Sequence, residues 1–186
     1  MSGVAVLAPG YGGTAEQPIL RRLATRLEAA GIVCARIAFS ARGGRPSRGY
    51  ARELDDLRAA RDALVTAHPG PVALVGRSFG GRMCAFLAER EPPDALVIIG
   101  HPIAPPTRPR PDDERALAAL RCPTLVVQGD RDELGPVAVL ERIAGLNPRI
   151  DLVTLAGAGH DLRSPEGSRE GEAVEHAARW LVSHLR

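Results

Sequence analysis

Six short apolar runs, at 4–8, 32–38, 72–75, 95–99, 124–128 and 150–155, punctuate the whole chain. They are rich in β-branched residues and nearly continuous rather than alternating, the pattern of strands buried on both faces of a parallel sheet. Amphipathic stretches separate them. Ile19, Leu20, Leu23 and Leu27 recur at helical spacing, as do Leu54, Leu57 and Leu64. A third helical pattern runs from about Phe79 to Arg90, and a last one carries Val174, Ala177, Ala178 and Leu181. Strand–helix alternation with right-handed crossovers predicts an α/β fold: a three-layer α/β/α sandwich on a mostly parallel sheet of about six strands. With 186 residues, no internal repeat and no linker, the expectation is one domain over 1–186. In such a sheet the ligand-bearing loops leave the carboxyl ends of the strands.

Composition removes several function classes. The formal net charge is only +2, so no nucleic-acid partner is expected. No apolar run reaches the roughly 20 residues of a membrane helix, and the start of the chain lacks a secretory leader, so neither a membrane partner nor export is expected. Cys34, Cys84 and Cys122 show no metal-ligand spacing, and Cys34 and Cys84 read as small hydrophobes, consistent with a cytoplasmic protein without a metal. All the basic residues other than histidine are arginine, so a local arginine cluster carries less weight than it would elsewhere.

After the third strand comes Gly76-Arg77-Ser78-Phe79-Gly80-Gly81 and then a helix. This G-x-S-x-G, in the strand–turn–helix setting it requires, marks Ser78 as the candidate nucleophile. A serine hydroxyl needs a positioned base. His160 follows the last strand in Gly157-Ala158-Gly159-His160-Asp161, a small loop able to bring an imidazole over Ser78. His68 belongs to the opposite end of the sheet, and His176 and His184 to the final helix. The acid is expected after the fifth strand, in Gly129-Asp130-Arg131-Asp132-Glu133, with Asp132 preferred over Asp130 for its reach beyond the strand end. The backbone N–H groups of Tyr11 and Phe79 are the candidate oxyanion hole, with Gly12 as an alternative to Tyr11. Gly12, Arg77 and His101 stand where they could meet substrate. The proline-dense segment 101–111 reads as neither helix nor interior strand and as a rudimentary lid or a rigid surface loop. Arg42, Arg45, Arg48 and Arg52 stud the loop after the second strand, either as a solvated loop or as a holder of a carboxylate or phosphate.

Together, Leu7-Ala8-Pro9-Gly10-Tyr11-Gly12-Gly13, Gly76-Arg77-Ser78-Phe79-Gly80-Gly81-Arg82, Val126-Val127-Gln128-Gly129-Asp130-Arg131-Asp132 and Gly159-His160-Asp161-Leu162 make the chain resemble the α/β-hydrolase superfamily. Within it, the chain is similar to the bacterial dienelactone-hydrolase-like group related to testis-expressed protein 30 and the NSL-complex subunit 3. The resemblance implies a minimal core with no large cap, starting at the strand usually third, with a rather open site. It departs from dienelactone hydrolases proper in carrying Ser78 in place of cysteine, and from many relatives in carrying Pro9 where they have histidine. The expected activity is cleavage of a small-molecule carboxylic ester or thioester through an acyl-enzyme on Ser78, without a cofactor. The competing expectation is a catalytically silent binding or scaffolding protein.

Overall fold

The computed structural model describes residues 3–40 and 45–186. Its elements run β1 (Val4–Ala8), α1 (Pro18–Ala29), β2 (Val33–Arg36), α2 (Ala51–Ala67), β3 (Val72–Arg77), α3 (Phe79–Arg90), β4 (Ala95–Ile99), α4 (Pro111–Ala118), β5 (Thr124–Gly129), α5 (Val137–Leu146), β6 (Ile150–Leu155), a two-stranded hairpin β7 (Arg163–Ser164) and β8 (Gly167–Ser168), and α6 (Glu170–His184). β1 to β6 form one sheet in the order β2-β1-β3-β4-β5-β6, with every pair parallel. All six expected strands are present, in the expected three-layer arrangement.

Period-2 alternation splits the core between the two faces of the sheet. Ala5, Leu7, Ala73, Val75, Val97, Ile99, Leu125 and Val127 pack with α1 and α6 through Ile19, Leu23, Leu27, Ala177 and Leu181. Val6, Ala8, Leu74, Leu96, Ile98 and Val126 meet α2, α3, α4 and α5 through Leu57, Met83, Leu87, Leu117 and Ile143. Both strand faces are therefore apolar, which is why these runs read as continuous rather than alternating. Among the described residues no helix is long and apolar enough to cross a membrane.

The segment 101–111 departs from expectation at its end, because Pro111 opens α4. Proline suits the first helical position, where no N–H bond is lost and its fixed φ is already helical. The chain leaves β1, turns outward to β2, then crosses back to β3 on the other side of β1. The order of strands thus reverses at β1, opening a crevice between the carboxyl ends of β1 and β3. The loops after Ala8 and after Arg77 meet there. Gly80 makes this approach possible: a Cβ at that position would sit 2.5 Å from the carbonyl oxygens of Ala8 and Pro9.

Candidate active site

Ser78 stands between β3 and α3 with φ 50° and ψ −112°, a conformation that costs a non-glycine residue about 1–3 kcal/mol. Surrounding structure holds it there. Its N–H donates to the Ile99 carbonyl at 2.9 Å, and its own carbonyl accepts from the Arg82 N–H at 3.1 Å. A Cβ on Gly76 would overlap the backbone of Gly80 and Gly81, so the tight return of the chain into α3 needs glycine at that position. The turn leaves Ser78 partly exposed at the N-terminus of α3.

The Ser78 hydroxyl lies 2.8 Å from His160 Nε2, and His160 Nδ1 lies 2.8 Å from Asp132 Oδ2. The carboxylate beside Nδ1 selects the tautomer protonated there and turns the Nε2 lone pair toward the hydroxyl. The Asp132 side chain is fully buried, while that of His160 is 27% exposed, so the imidazole can reach both its support and the open site. The loop bearing His160 is anchored by Leu162, a buried residue with φ 61°, and by the Gly159 N–H donating to the Arg163 carbonyl at 2.9 Å. Asp130, the alternative acid, accepts instead from the Gly157 N–H at 2.7 Å and ties the two loops together. Asp161 accepts from the Arg163 N–H at 3.0 Å and orders its own turn.

Gln128, which sequence reasoning passed over, connects the site to the sheet. Its Nε2 donates to Asp132 Oδ2 and to the Gly135 carbonyl, both at 2.8 Å, while its Oε1 accepts from the His101 N–H at 2.7 Å. Asp132 Oδ1 accepts from the Leu134 N–H at 2.9 Å, so both carboxylate oxygens are fixed. Gln128 lies inside an apolar strand run, and its glutamine identity was the only available signal.

The loop after β1 is shaped by the Gly10 N–H donating to Gln17 Oε1 at 3.0 Å and the Gly13 N–H donating to the Gly10 carbonyl at 2.9 Å. The Tyr11 and Phe79 N–H groups find no acceptor among the described residues. Phe79 opens α3, where the first N–H groups of a helix are unsatisfied and favour negative charge. The Tyr11 ring, 62% exposed, packs edge-on against Phe79 with centroids 5.9 Å apart.

An open cavity of about 1000 Å³ is lined by Gly10, Tyr11, Ser78, Phe79 and His160 together with Tyr50, Arg45, Arg77, Arg82, Pro102, Arg108 and Arg110, among others. The proline-dense segment thus forms one wall. Gly12 borders a smaller adjoining pocket of about 290 Å³. Arg77 reaches the cavity but is nearly buried. Its guanidinium donates to the carbonyls of Ile99 at 3.2 Å and Gly100 at 3.4 Å, and to the His160 carbonyl, so it braces the His160 loop. Burial pulls its pKa down, against the pull of Asp132.

The expectation for His101 is corrected. Its ring is fully buried and does not line the cavity; Pro102 does. The backbone clamp from Gln128 holds His101 with its ring in the interior, where neither ring nitrogen has a partner among the described residues. Burial, reinforced by Arg82 and Arg110, pushes its pKa down to about 3. Of the arginines after β2, Arg45 lines the cavity, Arg48 and Arg52 do not, and Arg42 lies outside the described residues. Arg82 and Tyr50 also line the cavity, and sequence reasoning missed both. Arg82 forms a two-point pair with buried Asp113, donates to Tyr50 Oη at 3.1 Å and lies 5.2 Å from the Tyr50 ring centre.

The fold and this site define a class, and the comparisons agree with it. The family model described as an alpha/beta hydrolase domain matches residues 2–185, and the chain belongs to that family. An uncharacterized protein of Mycobacterium tuberculosis is 29% identical over 86% of this chain, which spans 64% of that relative's length. The pimeloyl-[acyl-carrier protein] methyl ester esterase of Xanthomonas oryzae pv. oryzae is 43% identical over 74 residues, covering 40% of this chain and 28% of that one. Among solved structures, a candidate hydrolase of the alpha/beta superfamily from Xanthomonas campestris pv. campestris superposes with a TM-score of 0.75 at 28% identity. The match covers 97% of this chain and 99% of the other.

Proposed function

We propose that the chain is a serine hydrolase that cleaves a small-molecule carboxylic ester or thioester through an acyl-enzyme on Ser78. The observation that carries this reading is the continuous Ser78–His160–Asp132 relay, with 2.8 Å at each step. Ser78 Oγ attacks the acyl carbonyl carbon while its proton passes to His160 Nε2. Asp132 holds the ring and stabilises the imidazolium without taking the proton. The Tyr11 and Phe79 N–H groups receive the developing oxyanion. His160 then protonates the leaving oxygen or sulfur as the carbonyl re-forms, and a water activated by His160 releases the acid in the same two steps. The Xanthomonas oryzae relative, named for methyl ester cleavage, supports an ester over an amide.

Rapid mixing with 4-nitrophenyl butyrate tests the reading. The expected result is a burst of 4-nitrophenol equivalent to the protein concentration, followed by slower turnover. Folded protein that releases none, with acetyl and butyryl thioesters equally inert, would point instead to a silent binding protein.

A further inference from the structure

We infer that the substrate carries a carboxylate or phosphate group close to its scissile bond, held by Arg45 on one wall of the cavity and by Arg108 and Arg110 on the other. This inference rests on the serine-hydrolase reading of the same site. Five arginines line the cavity, and no aspartate or glutamate does among the described residues. Two of the five are already engaged: Arg77 with backbone carbonyls and Arg82 with Asp113. Arg45, Arg108 and Arg110 have no carboxylate within salt-bridge distance among the described residues. Elsewhere on the surface the arginines divide: Arg22, Arg58 and Arg142 meet Glu170, Glu91 and Glu114, whereas Arg90, Arg131 and Arg149 form no ion pair among the described residues. What marks the site is therefore three unpaired guanidinium groups gathered in one cavity whose described lining holds no carboxylate. Glu53, in the adjoining pocket, turns its carboxylate to the N–H and hydroxyl of Ser47.

Arg110 places one guanidinium nitrogen on the Pro102 carbonyl at 2.5 Å, which orients the group and leaves further N–H donors free. Burial first, and then the neighbouring charges of Arg82 and Arg108, lower its pKa, with Asp113 acting the other way. A bound anion would offset that repulsion. The loops after β2 and β4, strands that lie on either side of the β1–β3 pair, bring these guanidinium groups to the cavity that holds Ser78, where their forked donors match carboxylate or phosphate oxygens.

Two substrate pairs locate the anion. On the acyl side, 4-nitrophenyl hemiglutarate is compared with 4-nitrophenyl valerate. On the leaving-group side, the butyrate ester of glycerol 3-phosphate is compared with glycerol monobutyrate. The wild type is expected to favour the charged member of at least one pair by about tenfold or more in kcat/KM. That preference should shrink by about tenfold in Arg45→Gln and in the double variant Arg108→Gln/Arg110→Gln, and should weaken in about 0.5 M salt. Selectivity in the first pair assigns the anion to the acyl group, in the second to the leaving group. Equal or better turnover of both neutral members, or a preference that survives both variants, overturns the inference. Fluorophosphonate labelling of Ser78 is scored separately. Labelled protein without charge preference leaves the hydrolase reading standing and removes only the anion site. If Ser78 does not label, calorimetric titration with glutarate and with glycerol 3-phosphate decides. Binding weakened about fivefold or more in both variants keeps the site, and equal or absent binding removes it.

Discussion

Gln128→Ala is expected to unfold the support of the site before it touches the nucleophile. The side chain is fully buried and partners the His101 N–H, the Gly135 carbonyl and Asp132 Oδ2. Its loss orphans the first two outright, at about 1–3 kcal/mol each for a buried polar group left unpaired. Adding the small void gives roughly 4 kcal/mol, or about 8–16 °C in Tm at the 2–4 °C per kcal/mol typical of this chain length. Gln128→Glu probes the chemistry more directly, although it too leaves the Gly135 carbonyl without its donor. It keeps the acceptor for the His101 N–H but puts a second carboxylate oxygen where Nε2 stood, 2.8 Å from Asp132 Oδ2. Two buried carboxyls at that distance do not both ionise, so the support of His160 weakens and kcat falls by about tenfold or more. Urea unfolding followed by circular dichroism, together with turnover of 4-nitrophenyl butyrate, reads both effects. A Gln128→Ala cost below about 1 kcal/mol, or Gln128→Glu with wild-type kcat, would refute the reasoning.

Asp132→Asn should reduce kcat on the order of a thousand- to ten-thousandfold, because the His160 tautomer is no longer fixed, whereas Asp130→Asn should change it less than about threefold; comparable losses from both would reassign the acid. His101 makes stability depend on pH. Its folded pKa of about 3 lies below the ordinary 6.5, so the unfolded chain takes up a proton that the folded chain refuses, and stability falls as pH drops below 6.5. The expected contribution between pH 7.5 and pH 5 is about 2 kcal/mol, present in the wild type and absent in His101→Phe. Urea midpoints of both proteins at the two pH values check this, and equal losses would count against it.

The central strands β1, β3, β4 and β5 could be read from the chain because each is apolar on both faces, and the edge strands β2 and β6 because each is a short, mostly apolar run. Ser78, His160 and Asp132, which the structure brings together, could be picked out because turn chemistry and position after a strand restrict each proposed role to a few residues. The helices α4 and α5 escaped notice for different reasons. α4 buries only Asp113, Ala116 and Leu117 behind a first turn of Asp112, Asp113 and Glu114, so it shows no long apolar stripe. α5 is short but does carry Val139, Leu140, Ile143 and Ala144 at helical spacing against the core, a signal that was passed over. The pairing of Arg82 with Asp113 joins residues 31 apart, a separation that no local pattern encodes. His101 was misplaced because its position at a strand end says nothing about which way the ring turns. The backbone at that position is held by Gln128, one strand over, a contact no local pattern encodes. Asp130 and Asp132 sit on the same loop, so sequence position did not separate them; in the structure Asp132 lies against the imidazole and Asp130 bonds the Gly157 N–H.

The central claim is that Ser78 is an activated nucleophile. Intact-mass measurement after incubation with a fluorophosphonate tests it directly, with Ser78→Ala and His160→Ala alongside. The account predicts one adduct per wild-type chain, mapped to Ser78, none on Ser78→Ala, and labelling slowed by orders of magnitude in His160→Ala. Well-folded wild-type protein that stays unlabelled, or an adduct that persists in Ser78→Ala, would contradict it.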